Sequence, residues 1–264
     1  GYQKDLALLI QEAIEYDGFA LMDIWGICPG RYTKKNRLTP KMIDEALAQR
    51  PPLEGIVPEN ERPEYGQHYR RLAAEQKKVS EPAVIEPQFS APQKGRQEVV
   101  LLGSAGQRVI TAGEILCIAG LTAGMQTTQK NEYNITVLRG PSISELILSP
   151  RDIDFSGIET PDVLVALDQE GVDRRRDLFQ HLTKKSLIIR IGGIRLPHSK
   201  ARIHEVDFKA RGIKRTDWAL ASLAVLANLN RVISVDMLMS ALTFKFKGDT
   251  RQAALALVKQ LGAH

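Results

Sequence analysis

The chain has little cysteine: only Cys28 and Cys117 stand among its 264 residues. A disulfide framework is therefore excluded, and no complete metal cage is expected. Long apolar runs are missing too. None reaches the roughly 18 residues that cross a bilayer, and no secretory signal is recognisable, so a soluble, cytoplasmic protein is expected. Aromatic residues make up 6%, too few to supply stacking platforms for a nucleic acid. His68, His181, His198, His204 and His264 fall at unrelated spacings, with no HExxH or His-x-Glu pattern. They read as surface or capping residues rather than ligands or bases. What is present is ordinary for a globular protein, 43% hydrophobic and 25% charged, which excludes wholesale disorder. At about 150 residues per domain the length suggests two units or one large one.

Net charge is +5, from 36 basic and 31 acidic residues, too modest for a dedicated nucleic-acid binder. The excess is local. Between Val172 and Trp218 thirteen basic residues, Arg174 to Arg215, face five acids. Such a stripe suits an acidic protein, a phosphorylated cofactor or nucleic acid, and equally a solvated face of helices and turns.

Punctuation divides the chain. Val79 to Gly95, VSEPAVIEPQFSAPQKG, has three prolines and no period and reads as a linker. Gly55 to Tyr69 is likewise irregular. Ahead of it, apolar residues at helical spacing predict a helix over Asp5–Tyr16. Phe19–Trp25 reads as a buried strand ending in a Gly26-Ile27-Cys28-Pro29-Gly30 turn, and Thr39–Arg50 as a helix with Pro40 at its first position. One strand and two helices cannot bury a self-sufficient core, so this part is expected to be the end of a larger domain. From Gln97 onward strands alternate with helices: Glu98–Leu102, Glu145–Leu148, Val163–Leu167 and Leu187–Ile191 are strands. Val109–Ala123 and Arg174–Leu182 are helical, as are Asp217–Leu229, Val235–Leu242 and Arg251–Leu261, capped by Thr216, Ser234 and Thr250. The rhythm predicts a mostly parallel, three-layer α/β sheet, Rossmann-like in class.

Two patches carry chemistry. Gly103-Ser104-Ala105-Gly106-Gln107-Arg108 joins the first strand to its helix; small residues let the backbone turn with amides outward, and the helix N-terminus favours an anion. The spacing is G-x-x-G, with no carboxylate between Glu114 and Glu132, and Gly-Lys-Ser/Thr is absent. NAD, FAD and a Walker A loop are therefore disfavoured. The second patch, Val137-Leu138-Arg139-Gly140-Pro141-Ser142-Ile143-Ser144, offers one cation and several donors. The first patch alone is equally a tight βα turn, and the second alone reads sooner as a surface turn with a solvated arginine.

Taken in order, the patches resemble the gamma domain of the 2-oxoacid:ferredoxin oxidoreductases over Gln97–Gly262. The family's strand–Gly-x-Gly-Gly-Gln-Gly-Val-x-Thr-Ala-Gly-Glu-Ile-Leu stands here as GSAGQRVITAGEIL (103–116), its Arg-Gly-Gly-x-Ser region as RGPSISELILSPRDI (139–153), and PDVLVALDQ (161–169) also matches. Ala105, Arg108 and Pro141 replace family glycines, and Glu132-Tyr133-Asn134-Ile135 stands for Tyr-Gly-Pro-Glu. About Leu8 to Tyr69 is similar to the C-terminal end of the same enzymes' thiamine-diphosphate subunit, with Gly18-Phe19-Ala20 to Ile27-Cys28-Pro29-Gly30 as its last strand and Cys-Pro turn.

The resemblance implies residues 1–75 as the end of the thiamine-binding subunit, 76–96 as linker and 97–264 as gamma domain. It implies Cys28 as the fourth thiolate of a [4Fe–4S] cluster whose other ligands lie elsewhere; Cys117 reads as core. It implies oxidative decarboxylation of a 2-oxoacid in the complete enzyme, with thiamine diphosphate, iron–sulfur clusters and coenzyme A, none of which this chain would hold by itself except at a coenzyme A docking surface. That surface would comprise Gly103, Ser104, Ala105, Gly106, Gln107, Arg108, Arg139 and Ser142. The implied partners are the thiamine-binding and pyrimidine-side subunits and a ferredoxin or ferredoxin-like subunit, with no membrane. The isolated chain is expected to be catalytically silent. A purely structural assembly module is the rival expectation, and a basic nucleotide- or nucleic-acid-binding domain the third.

Overall fold

The structure, a computed structural model, describes residues 4–24, 39–49, 65–76, 84–134 and 139–262. The chain separates into two compact units, Gly1–Pro82 and Ala83–His264.

In the first unit the described elements are α1 (Leu6–Glu15), α2 (Pro40–Ala48) and α3 (Tyr65–Glu75). α1 buries none of its residues, and Ile14 is 77% exposed. Phe19–Ile24 is not the expected buried strand: it is irregular, with Phe19 87% exposed. A strand needs a neighbour to complete its ladder, and no strand lies among the described residues of this unit. Tyr65–Glu75, partly read as irregular, is a helix. The turn carrying Cys28 lies outside the described residues.

The second unit is built on a six-stranded sheet of order β2-β3-β1-β4-β5-β6, where β1 is Gln97–Ser104, β2 Gln126–Tyr133, β3 Pro141–Ser149, β4 Val163–Ala166, β5 Leu187–Ile191 and β6 Arg202–Val206. β1, β4, β5 and β6 run parallel, whereas β3 is antiparallel to both β1 and β2. The sheet is thus mostly parallel, as expected, with an antiparallel margin: β2 returns into β3 through a short connection, and such a return forces opposite directions.

β1 is buried on both faces. Val99 and Leu101 join the larger core, with α4 (Val109–Leu121), α7 (Trp218–Asn228), α8 (Val235–Lys245) and α9 (Gly248–Gly262). Val100 and Leu102 join a smaller core with Val172 and Phe179, from the short helices α5 (Gln169–Arg174) and α6 (Leu178–His181). The expected single helix over Arg174–Leu182 is therefore broken, with Arg175 at the C-cap of α5. α7 takes Asp217, not Thr216, as its N-cap after a 3-10 turn over Arg215–Asp217. α9 begins at Gly248, ahead of Thr250. Ser234 caps α8 as expected, accepting from the Met237 amide at 3.3 Å. Residues 84–96 are irregular, yet the amides of Gln88 and Phe89 both donate to the Thr122 carbonyl, and Phe89 packs on the larger core. No helix among the described residues is long and apolar enough to cross a membrane.

Candidate functional site

The handover from β1 to α4 is braced from inside. Gln107 is buried; its Oε1 accepts from the Ser104 amide at 2.8 Å and its Nε2 donates to the Leu167 carbonyl at 3.2 Å. Its amide group thus faces inward, joining the ends of β1 and β4, and does not line the outer surface of the loop. Gly103 is required by this brace: a Cβ there would meet Val109 Cγ2 at 2.6 Å and Gln107 Oε1 at 2.8 Å. On the other side Gly171 of α5 presses directly on the β1 backbone, where a Cβ would lie 2.6 Å from the Gly103 nitrogen.

Gly106 and Arg108 both have positive φ, +89° and +56°. The left-handed conformation suits glycine, and in arginine costs about 1 kcal/mol. Arg108 occupies the N-cap of α4 with no side-chain cap. Among the described residues, no partner accepts from the amides of Gly106 or of Arg108 to Thr111. The result is an uncapped helix N-terminus behind a glycine turn, with a guanidinium beside it, an arrangement that attracts an anion.

The second patch lies against the first. The β1–β3 register places Gly103 opposite Ser142 and Ser104 opposite Pro141, and the Ala105 amide donates to the Gly140 carbonyl at 2.9 Å. Arg139 is exposed and has no partner among the described residues, while Ser142 is buried at the strand start. Val137 and Leu138 lie outside the described residues. Tyr133, at the end of β2, pairs with Ser142 and is exposed. Gly103 to Arg108, Arg139 and Ser142 therefore share one edge of the sheet.

Three charged residues complete this edge that sequence reading missed. Arg108 Nη1 lies 3.2 Å from Asp217 Oδ1. Arg215 Nη2 donates to Ser104 Oγ at 2.8 Å and to Asp168 Oδ2 at 2.5 Å, while Asp168 Oδ1 caps α5 by accepting from the Glu170 amide. Asp168 had a signal, since it follows a buried parallel strand at its carboxyl end, where α/β sites gather. Arg215 and Asp217 had none, being joined to Ser104 and Arg108 only by the fold.

Part of the basic stripe is internally neutralised. Arg174 and Arg175 both bind Glu132, at 2.5 and 2.7 Å, Arg175 also reaches Glu145, and Arg190 pairs with Glu205. Burial would raise the Glu132 carboxyl, but the hydrogen bonds from Arg174 and Arg175 outweigh it and hold the group below its ordinary value.

Cys117 does not suit an iron–sulfur cluster. Cys117 sits in α4 with its thiol raised to about 11, chiefly by burial, whereas a ligand must be a thiolate. Cys28 lies outside the described residues, and among the described residues no three His, Cys, Asp or Glu gather as a metal site.

With that geometry in place, comparison with known proteins gives a consistent picture. The model of the pyruvate ferredoxin/flavodoxin oxidoreductase family matches residues 98–260. The 2-oxoglutarate synthase subunit KorC of Methanocaldococcus jannaschii is 38% identical over 85 residues, 32% of this chain and 46% of that protein. Its counterpart from Methanothermobacter marburgensis is 33% identical over 78 residues, 29% of this chain and 42% of that protein. The matches thus span less than half the length of these curated relatives. Among solved structures, the keto/oxoacid ferredoxin oxidoreductase gamma subunit of Geobacter sulfurreducens superposes with a TM-score of 0.52 at 20% identity, over 63% of this chain and 96% of that one. The 2-oxoglutarate:ferredoxin oxidoreductase of Magnetococcus marinus, with 2-oxoglutarate, coenzyme A and succinyl-CoA bound, superposes with a TM-score of 0.54 at 19% identity, over 64% of this chain and 31% of that one. At these identities the structural likeness speaks for the fold.

Proposed function

Because the chain belongs to the pyruvate ferredoxin/flavodoxin oxidoreductase family, we propose that it forms the gamma portion of a cytoplasmic 2-oxoacid:ferredoxin oxidoreductase and that the edge formed by Gly103–Arg108, Arg139 and Ser142 docks the phosphates of coenzyme A. The observation that carries the reading is the joining of the two patches through the Ala105–Gly140 hydrogen bond, beside the uncapped N-terminus of α4. Free amides and a helix dipole meet there, flanked in the chain by Arg108 and Arg139, and polyphosphate is the ligand such a surface favours. Gln107 acts in this scheme from within, fixing the shape of the turn.

When bound in the complete enzyme, thiamine diphosphate supplies the carbanion chemistry and iron–sulfur clusters remove electrons singly. This chain's part is to bind and orient the acyl acceptor. Residues 1–75 are assigned to the end of the thiamine-binding domain, 76–96 to a linker and 97–264 to the gamma domain. Cys28 is assigned as one thiolate of a shared cluster, with the thiamine-binding and pyrimidine-side subunits and a ferredoxin as partners. In the assembled enzyme, Arg108→Ala and Arg139→Ala are each expected to raise the KM for coenzyme A several-fold while leaving the KM for the 2-oxoacid unchanged. Unaltered coenzyme A kinetics in both variants sinks the docking assignment.

A further inference from the structure

Ser104, at the start of the turn, is held from two directions. Its amide donates to Gln107 Oε1 at 2.8 Å and its carbonyl accepts from the Gln107 amide at 3.2 Å. Those bonds are local. The third hold reaches its hydroxyl, which accepts from Arg215 Nη2 at 2.8 Å, and it comes from a 3-10 turn 111 positions downstream. Asp168 completes it: Oδ2 accepts from the same Nη2 at 2.5 Å, Oδ1 caps α5, and the Asp168 amide donates to the Leu102 carbonyl of β1 at 3.3 Å. The carboxylate that receives Arg215 is therefore itself tied to the sheet.

A guanidinium Nη carries two hydrogens, and here Ser104 and Asp168 take one each. This nitrogen has no donor left for a ligand, and its bond to the carboxylate is charge-assisted, of the stronger kind. Two residues on, Asp217 accepts from Arg108 Nη1 at 3.2 Å. The turn Arg215–Asp217 thus grips Ser104 at one end of the loop and Arg108 at the other, with Ala105–Gln107 between. Gly106 and Arg108 stand in left-handed backbone, which persists where its surroundings fix it.

We propose that Arg215 is a positioning residue for the docking edge: through Ser104 and Asp168 it holds the Gly103–Arg108 turn in the shape that leaves its amides free, and it does not itself touch the bound molecule. The inference rests on the coenzyme A reading above and adds to it the residue that fixes the turn from outside, as Gln107 does from within. A turn already fixed loses no further conformational freedom when the ligand arrives, which is how preorganisation raises affinity.

Two variants separate positioning from contact. Arg215→Ala removes the cation and the hold together. Asp168→Asn keeps an Oδ1 to cap α5, since asparagine caps as well as aspartate, but sets an amide nitrogen where Arg215 is accepted. It breaks the hold and leaves the cation. In the assembled enzyme each is expected to raise the coenzyme A KM about three- to ten-fold, the worth of one hydrogen bond. Saturated kcat and the KM for the 2-oxoacid should not move. The double variant should be no worse than Arg215→Ala, and amide exchange over the Gly103–Arg108 turn should quicken in all three. A guanidinium in direct contact with coenzyme A would behave otherwise: Asp168→Asn would leave the KM alone or lower it by freeing a cation, and the positioning role would fall. It falls too if both variants keep wild-type KM and exchange while Arg139→Ala weakens coenzyme A, in which case the docking edge stands. If Arg108→Ala and Arg139→Ala are also without effect, both fall.

Discussion

Glu132 shows how the fold uses its basic stripe. Two arginines from α5 and its C-cap close on this one carboxylate at the end of β2, and Arg175 continues to Glu145 on β3. The stripe was visible in the composition, but its partners were not: Glu132 and Glu145 lie 30 to 43 positions upstream, so sequence alone could not tell a docking face from an internal network. A depressed carboxylate stabilises the fold above its unfolded pKa and loses that contribution as pH falls through the folded value. Glu132→Gln is therefore expected to unfold at lower temperature than wild type near neutrality. The gap should close only under acid, below the ordinary carboxylate value of 4.5. Thermal melts of both proteins across that range check it; a gap already closed at pH 6 would mean the pairs contribute nothing.

At the level of elements, the strands that escaped sequence reading are the two at the sheet margins. β2 reads QTTQKNEY and β6 RIHEV; neither has the apolar run or clean alternation that marks a strand, because an edge strand has solvent on one flank and is protected by polar side chains. The central strands β1, β4 and β5 were legible because burial on both faces demands continuous Val, Ile and Leu. Phe19–Ile24 failed in the opposite sense, apolar enough for a core strand but without a ladder. The packing of α5 on β1 makes a sharper point. Gly171 meets backbone, not a flexible side chain, so Gly171→Ala leaves nothing able to yield cheaply. The expected cost is about 1–3 kcal/mol, seen as a fall of several degrees in the midpoint of thermal unfolding. An unchanged midpoint would show that the helix simply lifts.

Among the described residues, burial is divided unequally between the two units. Among these described residues the buried apolar ones lie between Val99 and Leu261, whereas α1 buries nothing. Amide exchange should follow that division: protection in β1, β3 and β4 near the global limit, and exchange in α1 close to that of an unstructured peptide. Mass-resolved exchange on the full chain measures both, and strong protection over Leu6–Glu15 would contradict it. The sequence carried the α/β class, and with it the order of the central strands and helices. It could not carry the reversal at β3, which depends on where the chain goes after β2, nor the meeting of Arg215 with Ser104 across 111 positions.

The left-handed arginine at the head of α4 sets two properties against each other at one position. Arg108→Gly would relieve a backbone that only glycine adopts at ease, and at the same stroke remove a cation from the proposed coenzyme A docking edge. Selection for heat resistance and selection for capture of scarce acyl acceptor would therefore pull this codon in opposite directions. Which residue a lineage keeps there would report which of the two pressures it has lived under.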